Sequence, residues 1–552
     1  MDGPGVKPFS LQELPARLRR RLTRERAERQ LEREFAALMD TALPAYAIRA
    51  NAGRGPKVAI ATFSSGSWHF VLEALLAHAL ALRGASPELL MCDLPALPVC
   101  DERTSLLRDP RRCPGCVAAK RPLLDACRIP WRGMSAFVDD GAMERAERVV
   151  AALRDEDLEH FSYGPWPIGR WTFVSVCHFL RSDARGSEAE TIAVRRLFLA
   201  SAIVVVEAVE RWLGEIQPDI LIAESGAHFM WRIACELARA RNIRVVCREI
   251  GKGGFDTHIY SLNAECMFPN WTDIWAQAKT VPLTTPEAER VDACLRSLPA
   301  RTYAPPGEET PTEDRDRLQR DLRLDRHGRV VVAFTGVTWD LATAGRDVGF
   351  DGMFDWLSET LRLAERHPDV QFVIRAHPAE RHVLTRERAL DVIERQWPSL
   401  PSNVRTIAPE RSMSVRGLCD IADLVLTYCS TTGIEAAIYE RPVLLCGAPH
   451  YRGKGFTIDI QSRADYRETF ERWSRGSVGL PPDAPETARR YFHLFFMRYH
   501  IEMGWTTSPL EPPFSLTIRD LSELLPGRSR AVDVVCSGVL EGREILLPAA
   551  GA

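Results

Sequence analysis

Residues 422–447, ADLVLTYCSTTGIEAAIYERPVLLCG, contain two apolar runs on either side of a helix-forming run. The first apolar run, Leu424 to Leu426, leads into the hydroxyl-bearing stretch 427–432 and then into Gly433. GIEAAIYE predicts a helix, and PVLLCG predicts a second buried strand. A strand, a helix and a strand in this order predict a parallel unit of a doubly wound α/β sheet.

The hydroxyl-rich turn of this unit is a candidate anion site. In open parallel sheets ligands bind at the carboxyl ends of the strands, and a helix N-terminus there offers unpaired N–H groups and a partial positive charge. Ser430, Thr431 and Thr432 would add hydrogen-bond donors, and Gly433 would let an anion approach the backbone. An ordinary N-cap is the alternative, but it accounts for only one hydroxyl. We therefore predict a phosphate-binding site at 430–433.

The alternation of strands and helices extends outward from this unit in both directions. It predicts an α/β domain at 327–485 and an earlier one at 56–300, which carries a cysteine-containing insertion at about 92–130. Proline-rich, charged residues 301–326 read as a linker. Residues 486–503 predict a helix, followed to 552 by an irregular tail. Two sheets joined by a linker leave a cleft between them.

Composition limits the class of protein. The chain has 552 residues, 45% of them hydrophobic, and a net charge of −3, which is typical of a soluble globular protein without general affinity for nucleic acid. No apolar run approaches the roughly 18 residues that span a bilayer, and the N-terminus lacks a signal-peptide core. We therefore expect a cytoplasmic protein.

Residues 1–55 predict a helical extension. The stretch 17–34 carries eight arginines and four glutamates at helical spacing. A solvated helix with ion pairs is the simplest interpretation. Two others remain: a basic face that rests on anionic lipid at the inner membrane, and an apolar face that docks on the body of the protein. That apolar face comprises Leu18, Leu22, Leu31, Phe35 and Leu38.

Two further segments add basic groups to the predicted anion site. IRAHPAE (374–380) places Arg375 and His377 at another strand end, where imidazole is a plausible donor to a phosphate oxygen. HYRGKGFTID (450–459) contains Tyr451, Arg452 and Lys454 between glycines, and predicts either a solvated loop or a mobile cationic flap over a phosphorylated ligand.

These segments together resemble bacterial capsule polysaccharide biosynthesis proteins, which are glycosyltransferases of the GT-B fold. FTGVTWD (334–340) and GRDVGFDGMFDW (345–356) share this resemblance, which is strongest over about 330–470. It implies an α/β, GT-B-like fold: two Rossmann-like doubly wound domains facing a central cleft, beside the N-terminal helical appendage. It also implies that the second domain holds most of a nucleotide-sugar donor, that 486–503 crosses back to the first domain, and that no metal cofactor is required.

Some relatives in this broad group carry a His-Pro pair and a Ser/Thr-rich helix start, and use a CMP-activated acidic sugar such as Kdo. His377-Pro378 and the 430–432 hydroxyls match those two features. The segment 450–459 lacks the aromatic-rich pattern of the Kdo transferases, so the sugar and the nucleotide stay open. The predicted donor-binding residues are Arg375, His377, Ser430, Thr431, Thr432, Gly433, Glu435, Tyr451, Arg452 and Lys454.

Glycosyl transfer also needs a group that handles the acceptor proton. Fixed donors and cations stabilise the departing phosphate, for which His377 is a catalytic candidate. Glu249, which ends an apolar strand before a GKGG loop, is the first candidate for the base. Asp340 lies at a strand end of the second domain and is another catalytic candidate. His69, Glu224 and His228 are further candidates from the first domain.

Cysteines offer one candidate metal site. Cys113 and Cys116 form a C-x-x-C pair, and Cys92 and Cys100 would complete a tetrahedral structural zinc site. The alternative is four free thiols, as expected in a reducing compartment.

The sequence thus predicts a glycosyltransferase that acts on a capsule or surface polysaccharide, or on its lipid-linked precursor. Three other functions remain open: a nucleotide-sugar epimerase, a polyol-phosphate transferase, and a noncatalytic subunit of a polysaccharide export system.

Overall fold

The computed structural model describes most of the chain. The described residues are 16–41, 55–64, 67–94, 97–100, 113–252, 254, 256–302, 315–381, 385–507 and 515–549, without the side chains of 16–25, 113–115, 119 and 298–302. Much of the predicted linker and part of the predicted cysteine-containing insertion lie outside these residues.

The first sheet is mixed and has seven strands. Their order across the sheet is β13-β6-β5-β4-β1-β2-β3. β1 to β5 pair in parallel, whereas β6 and β13 are antiparallel additions at one edge. The strands are β1 (Lys57–Thr62), β2 (Ser86–Met91), β3 (Trp131–Gly133), β4 (Ile220–Glu224), β5 (Arg244–Ile250), β6 (Thr257–Leu262) and β13 (Ile501–Glu502).

The second sheet has six strands, all of them parallel. Their order is β12-β11-β10-β7-β8-β9. The strands are β7 (Arg329–Phe334), β8 (Val370–Arg375), β9 (Val404–Ile407), β10 (Leu424–Thr427), β11 (Val443–Leu445) and β12 (Ile458–Asp459). The central strands β7 and β10 are almost wholly buried, as their unbroken apolar runs predict for a sheet covered on both faces.

Helices cover both sheets. The α-helices are α1 (Ala16–Asp40), α2 (Ser67–Ala81), α3 (Cys113–Cys127), α4 (Ala142–Ala151), α5 (Ile168–Leu180), α6 (Ala189–Ile216), α7 (Phe229–Arg239), α8 (Thr272–Ala278), α9 (Thr285–Thr302), α10 (Arg315–Asp321), α11 (Met353–Arg366), α12 (Ala389–Gln396), α13 (Val415–Ile421), α14 (Thr432–Ile438), α15 (Arg463–Ser474), α16 (Ala484–His493) and α17 (Arg530–Glu541). Four 3₁₀ turns and one π-helical turn, Leu494–Tyr499, complete the described elements.

The two sheets confirm the predicted fold class. Each is a doubly wound, Rossmann-like sheet with its parallel strands at the centre, and the carboxyl ends of β5, β7, β8 and β10 border one shared cavity. No described helix combines the length and the apolar character that crossing a membrane requires.

Helix α1 docks on the body of the protein. Leu31, Phe35 and Leu38 are buried, and Phe35 meets the Phe70 ring of α2 edge-on at a centroid distance of 6.1 Å. The simplest interpretation, a helix solvated all round, is therefore wrong for this part of the helix. Its exposed side carries Arg26, Arg29 and Arg33.

The C-terminal segment returns to the first domain. α16 and the π-helical turn lead into β13, where Ile501 pairs with His258 of β6. The Asp256 carboxylate accepts hydrogen bonds from the backbone N–H groups of 504, 505 and 506 at 2.7–2.9 Å, which fixes the segment after β13. The tail is less irregular than expected, since it contains α17, whose Val535 and Val539 are buried.

Candidate functional site

A cavity of about 410 Å³ lies between the two domains, and we call it the interdomain cavity. Its walls come from the loops after β5 and β6, the carboxyl ends of β7, β8 and β10, and the π-helical turn. The predicted residues that line it are Glu249, Asp340, Arg375, His377, Ser430, Thr431, Thr432 and Glu435. Residues predicted as donor-binding from separate segments of the sequence thus share one space.

His377 is held as a neutral hydrogen-bond donor. Its backbone N–H donates to Thr335 Oγ1 at 2.9 Å, and its Nδ1 accepts the N–H of Ala379 at 3.2 Å. Because Nδ1 is an acceptor, the ring proton belongs on Nε2. Burial, together with the charges of Lys252 and Arg375, lowers the pKa of His377 to about 4. At neutral pH the ring therefore carries no charge and offers one N–H.

Arg375 ends β8 and brings a buried positive charge to the same wall. Its side chain is 5% exposed, and one guanidinium nitrogen donates to the Ala408 carbonyl. This bond fixes the orientation of a side chain that also lines the cavity. Pinning the guanidinium in advance means that binding an anion costs little side-chain entropy.

The 430–433 turn forms as the sequence predicts, but its hydroxyls serve partly as a cap. Ser430 Oγ donates to Thr432 Oγ1 at 2.9 Å and accepts the Thr432 N–H at 3.3 Å. Ser430, Thr431 and Thr432 still line the cavity. The turn therefore presents hydroxyl groups whose positions are already set by local hydrogen bonds.

Lys252 lines the cavity from the first domain and is not among the site residues predicted from the sequence. Its Nζ lies 3.4 Å from Thr431 Oγ1 and 5.3 Å from the centre of the Phe496 ring. Although Lys252 is an exposed residue, desolvation by the surrounding protein lowers its pKa, while Glu435 and Asp340 act in the opposite direction. The position of this lysine between glycines, in the GKGG loop directly after β5, is the sequence feature that could have indicated it as a site residue.

Glu435 lies one turn into α14 and faces the cavity. Burial raises the pKa of this carboxyl to about 7, although the Lys252 charge works against that rise. The carboxyl is therefore near half ionisation at neutral pH. A group in this state can hold or release a proton under working conditions.

Glu249 and Asp340 face the cavity from opposite domains. Burial raises the pKa of Glu249, while Arg248 and His228 act to lower it, and its Oε1 accepts the N–H of Ile250 at 3.1 Å. Asp340 Oδ1 accepts the N–H of Ala342 at 2.8 Å, so it also caps a turn. Both carboxylates are placed where an acceptor hydroxyl could reach them.

Four predicted donor-binding residues lie outside the cavity lining. Gly433 is tight against Tyr451, because an added Cβ would lie 2.4 Å from the tyrosine oxygen. Its small size therefore serves packing, not the approach of an anion. Tyr451 is fully buried, and its hydroxyl donates to the Ser430 carbonyl at 2.6 Å.

Arg452 and Lys454 belong to the same packed segment. The Arg452 guanidinium donates to the carbonyls of Gly447 at 2.9 Å and Ile460 at 2.6 Å, at the ends of two strand connections. Lys454 is half-buried and does not line the cavity. Segment 450–459 is therefore a tightly packed loop and not the expected flap, because Tyr451 and Phe456 are core residues.

The other first-domain candidates for a base lie beside the cavity and not in its lining. His69 Nδ1 is 3.1 Å from Glu224 Oε1, at the carboxyl ends of β1 and β4. His228 precedes α7, and its ring lies 5.1 Å from that of His178. The structure brings Glu249 closest to the predicted donor-binding residues, since it alone among these four lines the cavity.

The predicted zinc site remains a prediction. Cys92, Cys100 and Cys116 are partly exposed, and the Cys113 side chain lies outside the described part of the structure. Among the described side chains, no three His, Cys, Asp or Glu residues are grouped so as to hold a metal ion.

Comparison with known families finds a match within the second α/β domain. Residues 321–473 match the family described as "Capsule polysaccharide biosynthesis protein". This match confirms the predicted resemblance over the segment that contributes Asp340, Arg375, His377 and the 430–435 turn. No curated protein matches the chain by sequence.

Three of the solved structures that match parts of the chain do so at low identity and low TM-score. A beta Kdo 2,4 transferase, KpsC from Thermosulfurimonas dismutans, is 16% identical over 50% of this chain and 80% of its own, with a TM-score of 0.29. A UDP-GlcNAc 2-epimerase from Neisseria meningitidis, bound to UDP-GlcNAc, is 12% identical over 79% and 98%, with a TM-score of 0.26. The glycosyltransferase SnogD from Streptomyces nogalater is 14% identical over 80% and 95%, with a TM-score of 0.24. Scores this low do not establish a common function.

Proposed function

We propose that the chain is a glycosyltransferase that moves a sugar from a nucleotide-sugar donor to a capsule or surface polysaccharide, or to its lipid-linked precursor. The observation that carries this proposal is the interdomain cavity, in which Arg375, His377, the 430–432 hydroxyls and Lys252 converge. Cations, a neutral N–H donor and hydroxyls in one partly enclosed space suit a phosphate group. The family match over 321–473 supports a role in polysaccharide synthesis.

In this proposal the second domain holds the nucleotide phosphate. When the bond between the sugar and the phosphate oxygen breaks, negative charge builds up on that oxygen. Arg375 and the Nε2–H of His377 are positioned to stabilise this charge without further reorganisation, which favours the transition state over the bound donor. Glu249 is the proposed base for the acceptor hydroxyl, because its raised pKa brings it closer to the working pH.

The acceptor side extends the proposal to a membrane surface. A lipid-linked acceptor would be presented at the inner membrane, and the exposed Arg26, Arg29 and Arg33 of α1 would favour anionic headgroups there. A peripheral position on the cytoplasmic face is therefore part of the proposal.

The experiment is a donor screen with purified full-length protein. UDP-, CMP-, GDP- and CDP-linked sugars are incubated with and without capsule polysaccharide fragments, and the released nucleotide and the modified glycan are measured. Acceptor-dependent release of one nucleotide with sugar incorporation is expected. Sugar isomerisation without acceptor would indicate an epimerase, and transfer of a polyol phosphate from a CDP-polyol would indicate a polyol-phosphate transferase. No binding of any of these donors would favour a noncatalytic subunit.

A pair of His377 variants tests whether this cavity is the donor site. His377→Asn keeps an acceptor for the Ala379 N–H but removes the Nε2–H, whereas His377→Gln keeps a donor near the Nε2 position. We expect His377→Asn to weaken binding of the active nucleotide by about tenfold, as for a lost hydrogen bond to a charged group. His377→Gln should lose less. Equal affinity for wild type and His377→Asn would remove this cavity from the proposal.

A further inference from the structure

Lys252 is supplied by the domain opposite the predicted phosphate-binding residues. It follows β5 of the first domain, whereas Arg375, His377 and the 430–432 turn belong to the second. Its Nζ nevertheless lies 3.4 Å from Thr431 Oγ1. The ammonium group therefore spans the gap between the domains and reaches the predicted phosphate-binding turn.

The charge of Lys252 is not neutralised by a close ion pair. Among the described residues, no carboxylate lies within 4.0 Å of its Nζ, although Glu435 and Asp340 are near enough to influence its pKa. Burial is the main cause that lowers the pKa values of His377, His450 and His500, and the charge of Lys252 acts in the same direction. A cation in this position attracts an anion that enters the cavity.

Two simpler explanations make different predictions. A solvated lysine would have no reason to place its ammonium 3.4 Å from a hydroxyl of the other domain and 5.3 Å from the centre of an aromatic ring. A purely structural tether would act through the Thr431 contact alone, and a distance of 3.4 Å between the ammonium nitrogen and the neutral hydroxyl oxygen is long for that purpose. The Lys252 ammonium is therefore placed to donate to an anionic oxygen, which is a stronger acceptor than the Thr431 hydroxyl.

We propose that Lys252 binds the leaving phosphate of the donor, so that both domains contact the donor. This inference rests on the proposed function. During transfer, the bond between the anomeric carbon of the sugar and the phosphate oxygen breaks, and its electron pair stays on that oxygen. The anomeric carbon then bonds to the acceptor oxygen, whose proton passes to the base. Lys252 donates to the oxygen that gains the charge, so its contribution is largest in the transition state.

This arrangement has a consequence for specificity. A phosphate bound only to the second domain would lack one cation, and the first domain carries the proposed base Glu249. A phosphate that contacts Lys252 would therefore hold the donor against the domain that carries the proposed base. Bound nucleoside without phosphate would not engage Lys252.

The test compares nucleotides with their nucleosides in the full-length protein. Binding of UDP and uridine, CMP and cytidine, and GDP and guanosine is measured by calorimetry for wild type, Lys252→Met and Lys279→Met. Methionine keeps the length of the side chain without its charge, and Lys279 is an exposed lysine of the same domain that serves as the matched control.

We expect Lys252→Met to weaken binding of the preferred nucleotide at least tenfold and to leave nucleoside binding and the unfolding temperature unchanged. Lys279→Met should behave as wild type. Equal nucleotide affinity for wild type and Lys252→Met would overturn the role of Lys252. A loss of nucleoside affinity in Lys252→Met as large as the loss of nucleotide affinity would also overturn it, in favour of a tether.

The same data separate this inference from the proposed function. Wild-type protein that binds none of the nucleotides contradicts both. Wild-type protein that binds a nucleotide with Lys252→Met unaffected contradicts only the lysine's role.

Discussion

At the scale of single residues, the cavity separates groups with fixed charge from one group that titrates near neutral pH. His377 and His450 both have pKa values lowered by burial, so their rings are neutral at neutral pH. Arg375 contributes a guanidinium group. Glu435 differs, because burial raises its pKa to about 7. The charge of the cavity near neutrality therefore depends on the ionisation of this carboxyl group.

This difference predicts how nucleotide binding depends on pH. Below about pH 7 Glu435 is protonated and neutral, whereas above it the carboxylate repels a phosphate in the same cavity. Affinity for the active nucleotide should therefore fall as pH rises from 6.5 to 8, by roughly threefold, or about 0.6 kcal/mol for a partly solvated charge pair. The nucleotide phosphate, with a second pKa of about 6, is already ionised across this range.

The control for this pH effect is Glu435→Gln. The amide keeps the shape of the side chain and cannot ionise, so the variant should bind with nearly constant affinity from pH 6.5 to 8 and more tightly than wild type at pH 8. Calorimetric titrations at three pH values measure both. A fall of the same size in Glu435→Gln would assign the effect to another group.

At the scale of elements, the strands were predictable from sequence and the loops were not. β7, β8 and β10 lie within the segments RVVVAFTG, VQFVIRAHP and LVLTYCS because unbroken apolar runs specify buried parallel strands. The strand-end rule then placed Arg375 and His377 correctly beside the 430–432 turn. Segment 450–459 was misread because glycines and basic residues suggest mobility, whereas its Tyr451 and Phe456 pack in the core.

That packed loop makes a prediction that a mobile flap would not. Tyr451→Phe removes the hydrogen bond to the Ser430 carbonyl and should lower the free energy of unfolding by about 1 kcal/mol. Because the same carbonyl belongs to the predicted phosphate-binding turn, nucleotide affinity should also fall slightly. Lys454→Met should leave both quantities unchanged, since this lysine does not line the cavity. Thermal unfolding measures the stability of the two variants, and nucleotide titration measures their affinity.

A flap that closes over the ligand would reverse this pattern. Lys454→Met would then weaken nucleotide binding through the lost charge, while Tyr451→Phe would have little effect on stability. The two variants together therefore decide between a supporting loop and a lid.

At the scale of the whole molecule, the site depends on how the two domains are joined. The C-terminal segment leaves the second domain as α16, passes the cavity through the π-helical turn, and pairs β13 with β6 of the first sheet. Phe492 and Phe496 of this segment line the cavity beside Lys252. Sequence patterns alone could predict each sheet but not this convergence, because Lys252 and Thr431 are 179 positions apart. Lys252, which only the structure reveals as a site residue, is accordingly one that reaches across the domain boundary.

This whole-molecule arrangement also predicts how transfer responds to metal removal. Lys252, Arg375, Arg381 and Arg411 line one cavity, so protein cations from both domains can offset the charge of a departing nucleotide phosphate. We therefore expect the rate of sugar transfer to change less than twofold when EDTA is added and when Mg²⁺ is restored. The matched comparison is Lys252→Met, which should lose activity whether or not EDTA is present. Loss of wild-type transfer in EDTA, with recovery on adding Mg²⁺, would mean that the protein cations do not suffice and that the leaving phosphate is also bound by a metal ion.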